Sequence, residues 1–136
     1  MPHSLVSDTV TEGIRVHAIA RFLRDQSDPS DSKYVFAYRI TISNEGTKRA
    51  RLLSRHWVII NGNGDREEVR GPGVVGKTPN LTPGDDFEYT SFCPLDTEWG
   101  TMEGTFRMQR EDGTTFDAVV GRFFLAMNAP SVAEVV

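Results

Sequence analysis

Only one cysteine, Cys93, occurs in the 136 residues, so no internal disulfide can form, and a lone thiol fits a reducing compartment. Long apolar runs are missing. The longest late one, Phe123 to Met127, is far too short to span a membrane, and the opening Met1-Pro2-His3-Ser4-Leu5-Val6-Ser7-Asp8 has no apolar signal core. A cytoplasmic protein without membrane insertion is the expectation. Positive charge is not in excess: 15 basic against 19 acidic residues give a net charge of −4, which argues against a nucleic-acid-binding face. The one basic cluster, Lys48-Arg49-Ala50-Arg51, reads as a solvated turn and strand start. Histidine is scarce and scattered. His3, His17, His56 and Cys93 show none of the paired spacing of a transition-metal site, and Asp85-Asp86 in a Pro-Gly turn reads as solvated acid. No metal and no cofactor are expected.

The helical period is missing as well, and what replaces it is a period of two. Ile14, Val16, Ala18, Ala20 and Phe22 alternate with polar residues, as do Tyr34, Phe36, Tyr38, Ile40 and Ile42. Arg51 to Ile60, a short stretch around Val69, Phe87 to Ser91, Met102 to Met108 and Phe116 to Leu125 read as further strands. Asn44-Glu45-Gly46, Asn61-Gly62-Asn63-Gly64-Asp65 and Glu111-Asp112-Gly113 are turn signals, and Asp25 to Ser32 is a polar loop. About seven strands with turns between them predict an all-β, antiparallel β-sandwich, in which two sheets bury their alternating faces. Mid-chain Trp57 resembles the core tryptophan of immunoglobulin-like sandwiches, although the cysteine pair that marks antibody domains is absent. The whole chain, 1–136, reads as one domain with a core over about 12–127 and frayed tails on either side.

The segment Gly71-Pro72-Gly73-Val74-Val75-Gly76-Lys77-Thr78 matches both the dinucleotide fingerprint and the P-loop. Both motifs work only when a helix starts directly after the glycines and holds phosphate on its N-terminus. Here Pro83-Gly84 ends any such helix within a turn, and the upstream Arg66-Glu67-Glu68-Val69-Arg70 is too charged for a buried parallel strand. Tight nucleotide binding is therefore not expected. Two readings of Gly71, Gly73 and Gly76 remain: a loop that needs glycine backbone freedom, or a nest of loop N–H groups that holds an anion.

Arg55-His56-Trp57 is the most informative polar group. Strand alternation puts Arg55 and Trp57 on one face and His56 on the other. Either Arg55 is a flanking charge reaching solvent, or it stands near the glycine loop and helps hold an anion or an acidic segment. A Cys93–His56 dyad can be drawn, but nothing near Cys93 is basic and Pro94 follows directly; Glu67-Glu68 and Asp85-Asp86 lack the separated environments of an acid–base couple. No catalytic residue is assigned, and a hydrolase is the weakest alternative.

Several stretches are similar, in order, to the ApaG domain family: Tyr34 to Ile42, Leu52-Leu53-Ser54-Arg55-His56-Trp57, Val69 to Gly76, Leu81 to Ser91 and Gly100 to Gly104. The likeness covers roughly residues 12 to 127. It implies a fibronectin-type-III-like sandwich, and a link in bacteria to cobalt tolerance and magnesium efflux. It also implies a protein-binding module, since eukaryotic relatives carry the domain in an F-box protein and a polymerase-interacting protein. The three glycines belong to the family's motif, whereas Lys77-Thr78 falls where the family varies. The expected function is a non-catalytic binding module with another protein as partner. The alternative is a phosphate- or anion-binding regulator using Gly71 to Gly76. The candidate contact residues are Gly71, Gly73, Gly76, Arg55 and His56.

Overall fold

The computed structural model describes residues 4–128. Its strands are β1 (Val6–Thr11), β2 (Ile14–Phe22), β3 (Tyr34–Asn44), β4 (Ala50–Asn61), β5 (Arg66–Pro72), β6 (Asn80–Leu81), β7 (Asp86–Leu95), β8 (Trp99–Gln109) and β9 (Thr115–Ala126). Two 3₁₀ turns, Arg24–Gln26 and Pro29–Asp31, are the only helical elements among the described residues, and both fall in the stretch read as a polar loop. The strands form two antiparallel sheets, ordered β1-β2-β3-β7 and β5-β4-β8-β9, with β6 paired to the start of β4. The antiparallel β-sandwich is therefore the fold.

The core is the set of alternating inward residues. Ile14, Val16, Phe36, Ile40 and Ile42 from the first sheet meet Leu52, Met102, Phe106, Phe123 and Leu125 from the second, all essentially without exposure. Two turn signals carry a buried asparagine whose polar atoms are used. Asn44 donates through Nδ2 to the carbonyls of Lys48 and Leu81 and accepts from the Gly46 amide. Asn61 accepts from the amides of Asn63 and Asp65 and donates to Asp96. Each ties a turn to a neighbouring segment with no orphaned polar atom left behind.

Two strands lie outside the sequence reading. Residues 6–11, expected in a frayed tail ahead of a core starting near residue 12, pair along their length with β2 as β1. Their period was hidden because one face of β1 carries Ser7, Thr9 and Thr11, not apolar residues. Those side chains have another task. Thr9 donates its hydroxyl to the Val119 carbonyl and Thr11 accepts from the Val119 amide, so β1 of one sheet covers the edge of β9 in the other. Two-residue β6 is too short to show a period at all. Residues 129–136, the expected C-terminal tail, lie outside the described residues, as do 1–3.

Two irregularities set which way side chains point. The β4–β8 register slips between Leu52 and Ser54, and the β8–β9 register between Met102 and Gly104. An extra residue in a strand reverses the alternation beyond it. Leu52 is inside, and past the slip the inward set becomes Arg55, Trp57, Ile59 and Asn61, leaving Ser54, His56, Val58 and Ile60 outside.

Candidate functional site

The glycine segment runs off the end of β5 at the side of the sandwich where β5 and β7 are the edge strands. Gly71 lies opposite Arg55 in the β4–β5 ladder. A Cβ on Gly71 would stand 3.0 Å from a guanidinium nitrogen of Arg55, so glycine here makes room for the arginine. Arg55 then turns along the strand end, and its Nη1 donates to the carbonyls of Pro72 and Gly73, both at 3.0 Å. Gly73 has φ 60° and donates its amide to the Leu53 carbonyl in the β4 bulge. The chain next reverses over Val74-Val75-Gly76-Lys77, whose ends exchange both main-chain hydrogen bonds. Positive φ at both central residues, 44° at Val75 and 78° at Gly76, makes this a type I′ turn. The result is that Val74 is driven into the core with no exposure.

The loop's main chain is partly committed to the protein. The amides of Gly73, Val74 and Lys77 are donated to protein carbonyls, which leaves Val75 and Gly76 as the turn's undonated amides. Arg55 does reach the loop, but it holds the loop's carbonyls. No helix follows Lys77, which is exposed; the chain enters β6 and then a turn in which the Asp85 amide donates to the Thr82 carbonyl. The glycines serve a plug, with Val74 as the stopper. A β-branched residue at positive φ is strained, so Val75→Asn is expected to raise stability by about 1 kcal/mol, read from urea unfolding.

His56 is brought to the other face. Its Nε2 lies 2.7 Å from Oε1 of Glu68, which Arg66 and Arg70 flank at 3.5 and 3.4 Å. The hydrogen bond with His56, helped by the two arginines, holds the Glu68 carboxyl below the usual range. Beside this cluster is an open groove of about 460 Å³ lined by Ser54, Arg55, His56, Arg70, Gly71, Thr105, Arg107 and Asp117. Cross-strand register explains the grouping: Arg70, His56 and Thr105 form one row across the sheet, and Ser54, Arg107 and Asp117 the next. Arg107 is paired with Asp117 at 2.8 Å, an exposed contact of the kind that contributes little and gives way easily. Arg70, Thr105, Arg107 and Asp117 were missed from the sequence, because the strands that bring them together are distant along the chain. The outward alternation of Thr105 and Arg107 was the available signal.

The same outer face carries an aromatic pair at its far end. Trp99 stacks on Phe124, with ring centres 6.0 Å apart and planes 11° from parallel, and remains 42% exposed. Half-buried Val58 and Ile60 lie between this pair and the groove.

Cys93 does not meet His56. It faces inward from β7, opposite Phe36, while His56 points out from the other sheet. Burial, with a smaller contribution from Glu67, pushes its thiol up to about 12. Labelling of Cys93 by a thiol reagent at pH 8 is expected to be at least about 100-fold slower in the native protein than in urea, because the thiolate is the reactive form. Among the described residues, no group of three His, Cys, Asp or Glu side chains is placed to hold a metal ion. No helix among them is long and apolar enough to cross a membrane.

Fold and site together define a two-sheet sandwich whose open side is plugged by a glycine turn beneath an arginine. Residues 24–110 match the ApaG domain, DUF525, and the chain belongs to that family. It is 52% identical over 122 residues to Protein ApaG of Azoarcus sp. (strain BH72), covering 90% of this chain and 96% of that one. Protein ApaG of Dechloromonas aromatica (strain RCB) is 51% identical over 121 residues, 89% of this chain and 95% of its own. Among solved structures, the putative ApaA protein from Bordetella pertussis superposes with a TM-score of 0.82 at 44% identity, over 95% of this chain and all of that one. The C-terminal domain of wzt, at 12% identity and a TM-score of 0.53, shares the fold alone.

Proposed function

We propose that this protein is a non-catalytic binding module whose partner is another protein, seated on the outer face of the β5-β4-β8-β9 sheet. The observation that carries the reading is the composition of that face. A groove with Arg70, Arg107 and His56 at one end continues past half-buried aliphatic residues to the stacked Trp99–Phe124 pair. Arginine and tryptophan are the residues on which protein interfaces most depend, and outward faces of sandwiches are otherwise mainly polar. On this reading, the link to cobalt tolerance and magnesium efflux that the ApaG resemblance implies runs through the partner and not through bound metal. An anion, in the second reading, sits in the groove against the exposed guanidinium groups of Arg70 and Arg107.

A photo-crosslinking residue at Thr105 tests this in native cytosol. The expected result is an adduct of discrete mass that drops at least about fivefold when Arg70 and Arg107 are both changed to alanine. Arg39→Ala, on the other sheet, should leave the adduct unchanged. Absence of any discrete adduct, or one indifferent to both arginines, overturns the proposal.

A further inference from the structure

The four outer strands of the two sheets differ in how their edges are protected. The edges of β1 and β9 are sealed against each other by Thr9 and Thr11. β5 carries Arg66, Glu67, Glu68 and Arg70, the charges that discourage a further strand from adding. β7 is protected only toward its ends, by Asp86 and Glu88 at the start and Pro94 near the close, and is bare between them. It is ten residues long, its only charges are Asp86 and Glu88 near the start, and Phe92 is 57% exposed.

The direction of the free main-chain groups follows from the ladder. Asn44 donates to the Asp85 carbonyl at 2.9 Å, and in an antiparallel pair every second residue bonds to the neighbour. Phe87, Tyr89, Ser91 and Cys93 therefore bond to β3. Asp86, Glu88, Thr90, Phe92 and Pro94 point their main-chain groups away from it, and all five are exposed. Pro94 is consistent with this, since a proline is tolerated where the ladder needs no N–H.

We propose that β7 pairs with β7 of a second copy of this chain, antiparallel about Thr90, joining the two β1-β2-β3-β7 sheets into one. The edge is self-complementary in that register. Thr90 faces Thr90 of the second copy and Glu88 faces Phe92, each pair able to exchange two main-chain bonds, while Asp86 faces Pro94, which has no N–H, so the outermost pairs make one bond each. The two Glu88 side chains then stand four residues apart along the ladder, about 14 Å, beyond the screening length in physiological salt. A register shifted to centre on Tyr89 brings them diagonally adjacent, where like charges repel. The groove lies on the other sheet and stays free, so this pairing is separate from the binding proposed above.

Edge-to-edge pairing buries little surface, so the dimer is weak, with a Kd on the order of 10 to 500 μM. Sedimentation equilibrium should show reversible dimerisation. Hydrogen exchange of the Glu88, Thr90 and Phe92 amides should slow as concentration rises. Thr90→Pro removes an N–H that no native bond uses, and Phe92→Lys puts a charge on the bare stretch. Each should return the protein to monomer, and circular dichroism identifies any variant that fails to fold. A protein that stays monomeric to about 1 mM overturns the proposal, as does a dimer that both folded variants leave intact. Slowed exchange of these amides only when a different protein is added overturns it too, and assigns the edge to that protein.

Discussion

Gly104→Ala is expected to lose about 3 kcal/mol or more, the upper end of what overpacking costs, seen as a lower urea midpoint with little change in slope. Gly104 sits opposite Trp57 in the β4–β8 ladder, at the register slip with β9. A methyl group there would stand 2.0 Å from the His56 carbonyl oxygen and 3.2 Å from the Trp57 Cα. Both obstacles are backbone, in the middle of a central strand, and neither can rotate away. Two hydrogen-bonded strands must separate to admit one carbon. Gly64→Ala is the control. Gly64 has φ 86° and nothing within 4 Å of an added Cβ, so only the conformational cost of about 1 to 2 kcal/mol applies. Equal losses at the two positions would show that backbone conformation, and not the close approach of β4, governs Gly104.

Trp57→Ala should cost about 3 to 5 kcal/mol, the range for removing a large aromatic from a core. Trp57 is 3% exposed, and its ring meets Tyr38, Phe106 and Phe123 at centroid distances of 5.4, 5.9 and 6.1 Å, edge-on in each case. It joins the two sheets at their middle. Trp57→Phe separates packing from hydrogen bonding. The indole N–H is buried without a hydrogen-bond partner among the described residues, so phenylalanine gives up no bond and removes an unsatisfied donor. The cost should then be about 1 to 2 kcal/mol, from lost volume alone. A loss as large as that of alanine would mean that the N–H has a partner after all.

The sandwich was legible because its signal is local and repeated. Inward residues such as Ile14, Val16 and Ala18, or Phe36, Tyr38 and Ile40, announce their face without reference to the rest of the chain. The absence of a helix after Lys77 was legible for the same reason, since Pro83-Gly84 makes a turn in any surroundings. Pairing Arg55 with Trp57 on one face needed only alternation and was right. Their direction relative to Leu52 was not readable, because it depends on a bulge at Leu53 that no residue type announces. The task of the glycines was also hidden. Gly71 answers to Arg55, Gly73 to the Leu53 and Lys77 carbonyls, and the turn beyond them exists to bury Val74. Each of those contacts is a tertiary fact about two segments. The groove has the same character: its charged residues come from β4, β5, β8 and β9, and only cross-strand register assembles them.

The threonine contacts between β1 and β9 make the first strand more than an ornament on the sheet. They turn two open sheets into something closed along one side, held by threonine side chains, with the Phe124 amide donating to the Ser4 carbonyl beside them. A chain shortened to begin at Gly13 would keep every core position from Ile14 onward and would still be the sandwich in outline. It would, however, present the Val119 amide and carbonyl and the Gly121 flank to any passing strand. Such a molecule would fold and then stick to itself, and its poor solubility would mark a lost seam, not a lost core.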